Sequence, residues 1–380
     1  MKKGMVAVED TMCEGVIIGI LSRLPAKSVL RFKSVCKAWR TLIEEHFFVE
    51  KHFEQLQRGA NTRPDSIMFV NYNDSRLYSL DIESLSLSCD EEQVELPEKV
   101  LRSHNYLLGL SSTYNMLLLL GSCNGLICMQ NGKSISLWNP CTRTYSQVVY
   151  PPKDTQFVRT MTFGFGYDAK VKDYKLVRIT CFHDQLEQQN ASEVKVLTLS
   201  TNTWRRLYYV PYNVGSTPGK LINGALHWID VYRNLLICFN VEEEKVKEMA
   251  KPVYMTNNKV RNVRVFELAG CLALVCRSTK KGSDIEVWVM KEYGLENSWT
   301  KMFSIDLKRL PCSSFRPHCS CSIRPLHILK NNEGILLGRN NSLVLFKPNG
   351  NGYQNFYGLS SLVSSFLTYR GSLVHLDEKE

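Results

Sequence analysis

Residues 12–53 read MCEGVIIGILSRLPAKSVLRFKSVCKAWRTLIEEHFFVEKHF, and this stretch decides how the chain is organised. Val16, Ile17, Ile20, Leu21 and Leu24 fall at spacings that paint one side of a helix ending at Pro25, which has no amide hydrogen to continue the ladder. Lys27 to Lys33 supplies a second short helix with Val29, Leu30 and Phe32. Ser34 is a candidate N-cap for a third that displays Val35, Ala38, Trp39, Leu42 and Ile43. So small and apolar a body is marginal alone, because chains under about 60 residues bury too little of their surface. It needs a partner: either the rest of its own chain or another protein. From Arg23 to Arg40 the charged residues are Arg23, Lys27, Arg31, Lys33, Lys37 and Arg40, with no acid among them. A partner surface is therefore expected to be acidic.

The segment ILSRLPAKSVLRFKSVCKAWRTLI, Ile20 to Ile43, resembles the F-box in its plant form, with LPAKSLLRF and VCKSWRxLI. The chain departs from that pattern at Met12 to Val16, where Leu-Pro-x-Asp-Leu is usual, and at Gly19, where an acid is common. Gly15 and Gly19 each weaken a helix by about 0.8 to 1 kcal/mol relative to Ala. The resemblance implies docking onto the Skp-type adaptor of an SCF-type cullin-RING ubiquitin ligase, and through it onto cullin and a RING protein. The residues expected to dock are Val16, Ile20, Leu21, Leu24, Pro25, Leu30, Phe32, Val35, Trp39 and Leu42, some of which must also build the internal core. This places an F-box at 10–55, a linker at 56–65 around QRGANTRP, and a second domain at 66–380.

At 380 residues, 44% hydrophobic and 22% charged, the composition is that of an ordinary globular protein. No apolar run nears the roughly 18 residues of a membrane span, and MLLLL at Met116 to Leu120 has a strand's length. The segment MKKGMVAVED lacks an apolar core, so no secretory signal is expected and the protein is placed in the cytoplasm or the nucleus. Thirteen cysteines at irregular spacing give no disulfide framework. The net charge of +10 is scattered beyond the first helices, which argues against nucleic-acid binding.

From Ser66 onward the hydrophobic period changes to two. SIMFV, RLYSLDI, GLICM, SISLW, KLVRI, VKVLTL, ALHWI, LLICF, LALVC, IEVWVM, GILLG, SLVLF, SFLTY and SLVHL are short strand candidates separated by turn residues. They pair into repeats of about 40 to 55 residues, the period of propeller blades. Five repeats are self-contained. Two strands are left at each end, and joining them in one blade would remove two exposed sheet edges. The fold expected is a small three-helix head followed by an all-β propeller of six blades, with seven as the alternative. GSCNGLICM, SLWNPCTRTY, FGFGYDAKVKDYKLVRI, VKVLTLSTNTWRRL and INGALHWI are similar to the plant F-box-associated domain, over most of Gly121 to Trp299. The order of the two domains resembles the S-locus F-box-like and F-box/kelch-repeat proteins. Trp138, Trp204 and Trp299 read as packing anchors, and Gly164 and Gly166 as crowded positions.

Catalytic patterns are missing. There is no G-x-S-x-G, H-E-x-x-H or Walker loop, and GSCNG at Gly121 to Gly125 lies between strands with no phosphate-binding helix behind it. Cys123 has no sequence-near histidine to activate it. Cys312, His318, Cys319 and Cys321 lack the paired C-x-x-C spacing of a zinc site and read as a polar loop. The chain is thus expected to be no enzyme, to use no cofactor or metal, and to meet neither membrane nor nucleic acid. The resemblance implies a substrate-recognition subunit whose propeller holds a target protein for ubiquitination. Its relatives include determinants that recognise stylar ribonucleases and others that turn over immune receptors. The alternative is an adaptor-independent propeller that binds proteins. Candidate recognition loops are Tyr72 to Arg76, Phe182 to Ser192, Pro211 to Gly219 and Pro311 to Pro325.

Overall fold

The computed structural model describes residues 14–58, 64–71, 76–82, 85, 93–95, 101–104, 117–152, 157–182, 192–255, 260–279, 284–306, 323–328, 334–339, 342–347, 352–357 and 363–376. Four short helices come first, one more than the sequence pattern predicts. They are α1 (residues 14–21), α2 (Ala26–Phe32), α3 (Lys37–Glu44) and α4 (His46–Arg58). The extra break is at Glu45, whose ψ of 135° takes the chain out of the helix for one residue. The expected cap also moves. Cys36, not Ser34, precedes α3, and its sulfur accepts from Trp39 N–H at 3.4 Å. Ser34 instead donates to the Arg31 carbonyl at 2.7 Å. Because α4 runs to Arg58, the first three residues of the expected linker are helical.

Six sheets follow, each an antiparallel meander at heart, and together they form six blades. Blades 1 to 4 occupy residues 117–148, 158–210, 220–249 and 260–306. Blade 5 occupies 324–357 and gains a fifth, parallel strand, Gln93–Glu95, from the front of the chain. The closing blade has Val363–Tyr369 innermost, followed by Ser66–Asn71, Arg76–Asp81 and Leu101–His104. Shared closure thus holds, but in a three-to-one division between front and back. The predicted final strand SLVHL is no strand. Residues 370–376 run extended as a strap beneath blade 1.

Asn139 of the Trp-Asn-Pro segment holds that strap. Its amide donates to the carbonyls of Ser372 at 3.2 Å and Val374 at 2.6 Å, and its carbonyl oxygen accepts from Cys141 N–H at 2.9 Å. Asn124 and Gly125 make a hairpin turn with φ of 52° and 80°. A side chain at Gly125 would collide with Ser372, since a Cβ there would sit 2.3 Å from its Oγ. These two short motifs, distant from the C-terminus in sequence, lock the ring shut. Asn139→Ala is expected to destabilise the ring by about 1 to 2 kcal/mol, because it removes the donor to the carbonyl of buried Ser372 and leaves the half-buried Val374 carbonyl with Thr142 Oγ1 at 3.3 Å. Urea unfolding would check this, and an unchanged midpoint would refute it.

Blade-to-blade packing explains the other signatures. Trp138 is fully buried between blade 1 and the closing blade, among Met68, Val70, Leu77 and Leu367. Gly164 lets blade 3 approach: a Cβ there would lie 2.8 Å from Leu226 Cδ1 and 2.9 Å from Trp228. Trp204 and Trp299 play equivalent parts two blades apart. Trp204 Nε1–H donates to the Val149 carbonyl at 2.7 Å and Trp299 Nε1–H to that of Ala250 at 3.0 Å. Each acceptor lies one residue past the outer strand of the preceding blade.

Candidate functional site

The helical head packs directly on the ring. Ile18, Leu21, Ala26, Val29, Leu42, Ile43 and Phe48 form one buried cluster with Leu373 of the strap. Lys27 Nζ donates to Ser66 Oγ at 2.8 Å and pairs with Asp81 at 3.2 Å. Arg370 Nη1 donates to the Leu56 carbonyl at 3.1 Å, and Phe53 meets the edge of Tyr167 at 5.5 Å. His52 is fully buried, and its Nε2–H donates to the Leu24 carbonyl at 2.9 Å. Burial, aided by Arg370 and opposed by that hydrogen bond, lowers its pKa, so His52 is a neutral structural link between α4 and the turn after α1. Its place at the foot of an apolar helix gave no sequence signal.

One apolar side of the head stays uncovered. Val16 is 61% exposed, Ile20 57% and Val35 59%, and Pro25 is also exposed. Leu24, Leu30, Phe32 and Trp39 are half-buried, with Phe32 and Trp39 edge to face at 5.6 Å. Two residues expected to dock do not face outward: Leu21 and Leu42 are 2% and 7% exposed and belong to the core. The reason is that α1 is apolar on more than one side, so Ile18 and Leu21 turn inward while Val16 and Ile20, four apart, turn outward. The basic run is thinned as well, since Lys27 is paired with Asp81 and Lys33 with Glu44 at 3.2 Å. Arg23, Arg31, Lys37 and Arg40 remain exposed. At Gly19 a Cβ would meet nothing within 4 Å. Gly19→Ala should therefore stabilise α1 by about 1 kcal/mol. Slower amide exchange in residues 14–21 would report it, and faster exchange would contradict it.

The ring's two ends differ. Apart from Leu373 of the strap, the described contacts of the head named above fall where first and second, or third and fourth, strands of a blade meet: Asp81, Cys141, Tyr167 and Arg370 all lie there. The opposite end carries the second-to-third connections and the crossings between blades. Loop 211–219 lies there, as do the strand ends from which 72–75, 183–191 and 307–322 depart. The described strand ends that flank the four loops singled out from the sequence thus lie at the end away from the helices, and residues 72–75, 183–191 and 307–322 lie outside the described residues. Of the four loops, only 211–219 is described in full. Exposed aromatics border it. Tyr209 is 51% exposed and Tyr232 54%, with the Arg159 guanidinium 4.9 Å from the Tyr232 ring and that of Arg233 5.1 Å from Tyr212.

Nothing in Cys123 suggests a nucleophile. It is buried, and burial pushes its thiol far above the usual range. Cys312, His318, Cys319 and Cys321 lie outside the described residues.

A helical head with an open apolar side is fixed to one end of a six-bladed ring. Residues 11–51 match the F-box domain, and residues 68–356 match the F-box associated beta propeller domain. The chain belongs to the F-box proteins that carry this propeller. It is 28% identical to F-box protein At3g07870 of Arabidopsis thaliana, over 92% of this chain and 88% of that one. It is 31% identical to the F-box protein CPR1, covering 87% and 80% of the two chains, and 31% identical to F-box/kelch-repeat protein At3g23880, covering 75% and 77%, both from the same plant. The two domains together mark a protein of the SCF substrate-receptor type.

Proposed function

We propose that this chain is the substrate-recognition subunit of an SCF-type cullin-RING ubiquitin ligase, with the head docked on a Skp-type adaptor and the far end of the ring holding a target protein. The observation that carries the reading is the uncovered side of α1 and its flanking turns, which the chain's own ring leaves to water. An apolar surface bordered by Arg23, Arg31 and Lys37 suits a partner with an apolar groove and an acidic rim. Ubiquitin transfer would occur on other subunits, and this chain would contribute proximity and orientation. The complex would work in the cytoplasm or the nucleus, and confinement of a fluorescent fusion to a secretory compartment would contradict that.

Gel filtration of the full chain mixed with a purified Skp-type adaptor tests the docking. Co-elution is expected. Separate elution of two folded proteins would favour the adaptor-independent binding module instead. Exchange of residues 211–219 should alter target capture and leave adaptor co-elution intact; the reverse pattern would place the target elsewhere.

A further inference from the structure

The turn between α2 and α3 carries Ser34, which is exposed and directly precedes Val35, one of the apolar residues that the ring leaves uncovered. Arg31 stands three residues before Ser34 and Lys33 one residue before it. Protein kinases with acidic peptide clefts select an arginine at the third position before the hydroxyl residue, because their carboxylates meet its guanidinium. In this chain an arginine holds that position at Ser34, Ser66, Ser79, Ser146, Thr162 and Ser342. Ser66, Ser79, Ser146 and Thr162 are buried, at 8% exposure or less, and the Ser342 side chain lies outside the described residues. Among the described side chains of this set, Ser34 alone is open to an enzyme.

The turn is built so that it can open and can hold an added charge. Ser34 Oγ and its backbone N–H both donate to the Arg31 carbonyl, at 2.7 and 3.2 Å, with no burial to reinforce them. The preceding helix has seven residues and no side-chain N-cap, so its last turn is cheap to release into the extended form that a kinase cleft takes. Arg31 and Lys37 are exposed and in no ion pair among the described residues. Arg40 Nε donates to the Lys33 carbonyl at 3.4 Å, which brings its guanidinium against the peptide unit before Ser34. A phosphate on Ser34 therefore meets cations of its own head and does not disrupt it.

We propose that Ser34 is a phosphorylation site through which a protein kinase turns adaptor docking off. The γ-phosphoryl group of a nucleoside triphosphate passes to Ser34 Oγ: the Oγ–P bond forms, the bond from that phosphorus to the β,γ-bridging oxygen breaks, the nucleoside diphosphate leaves, and the hydroxyl proton goes to the kinase's carboxylate base. The product carries about −1.5 to −2 charge. Unmodified, the uncovered side offers Arg23, Arg31, Lys37 and Arg40 to an acidic rim. Modified, it loses about half of that positive charge, sets a dianion against the rim, and must strip water from a phosphate beside Val35. Docking in turn covers Ser34, so adaptor and kinase exclude each other. This inference rests on the adaptor-docking reading above.

Treatment of the full chain with ATP and the catalytic subunit of cyclic-AMP-dependent protein kinase, followed by tandem mass spectrometry and by surface plasmon resonance on a purified Skp-type adaptor, tests it. Phosphate is expected on Ser34, with an adaptor Kd raised at least about tenfold and a melting temperature within about 2 °C of the untreated chain. Kinase-treated Ser34→Ala should bind the adaptor like the untreated chain. Saturating adaptor, added before the kinase, should slow phosphorylation of Ser34 severalfold. The proposal is overturned if Ser34 takes no phosphate, if the Ser34-phosphorylated chain binds the adaptor undiminished, or if kinase-treated Ser34→Ala loses affinity equally. A larger drop in melting temperature would also overturn it, since the head would then be unfolding. An untreated chain that binds no adaptor would remove the docking reading and the switch together, whereas equal binding by both forms removes the switch alone.

Discussion

Lys175→Met is expected to lower the unfolding free energy by about 3 to 5 kcal/mol, the usual cost of removing one partner from a buried ion pair. Lys175 Nζ lies 2.5 Å from Asp168 Oδ2 and 2.7 Å from Glu244 Oε1, and donates to the Val241 carbonyl at 3.0 Å. The side chains of Lys175, Asp168 and Glu244 are 6%, 3% and 17% exposed, so water cannot replace the lost ammonium. Because Asp168 belongs to blade 2 and Val241 and Glu244 to the turn of blade 3, the cluster also fixes how two blades meet. Methionine would fill the space and leave two carboxylates facing each other. Arg205 pairs with Glu244 at the rim but is half exposed, so Arg205→Gln should cost under about 1 kcal/mol.

The same cluster sets an acid limit. Burial pushes the Asp168 carboxyl up, but the Lys175 hydrogen bond and the Val171 and Lys170 amides outweigh it and leave the pKa below the ordinary value. Glu244 is likewise raised by burial and lowered further by Arg205 and Lys175. Carboxyls depressed in the folded state stabilise it above the ordinary carboxylate range, about pH 4, and that contribution is lost as pH falls below it. Urea unfolding at pH 7 and at pH 3 should therefore show a gap between wild type and Lys175→Met that narrows in acid. A gap below 1 kcal/mol at pH 7 would sink this account of the cluster.

Leu24→Asp should weaken adaptor binding by at least about 2 kcal/mol, about 30-fold, because few residues dominate an interface and a carboxylate there has no cationic partner to meet. Leu24 is half-buried, however, and packs on the internal core of the head, so some loss of stability should accompany the loss of affinity. Ile20→Asp separates the two effects. Ile20 is 57% exposed and outside the buried cluster, so its replacement should leave the unfolding midpoint within about 0.5 kcal/mol of wild type while cutting affinity comparably. Surface plasmon resonance on both variants decides the matter. Full binding by Ile20→Asp would mean that another side of the head docks.

Much of this was legible in the residues. Alternation marked the strands, and two leftover strands at each end implied a shared closing blade, which the ring has. What alternation could not reveal is which neighbour a strand joins. Gln93–Glu95 leaves the closing blade's segment to run parallel to blade 5, and SLVHL forgoes pairing because the side chains of Asn139, Thr142 and Thr144 offer its backbone other partners. In the head, helical spacing identifies apolar positions but not which of two apolar sides faces inward, so Leu21 and Leu42 read as docking residues although they are core. The break at Glu45 carries neither Pro nor Gly and is fixed by packing of Phe48 and His52.

Amide hydrogen exchange of the full chain, with and without a purified Skp-type adaptor, tests the central reading most directly. The uncovered side of the head predicts new protection across residues 14–35, with blades 2 to 4 unchanged. Unchanged exchange in the head at saturating adaptor, or protection confined to the loop-bearing end of the ring, would contradict it.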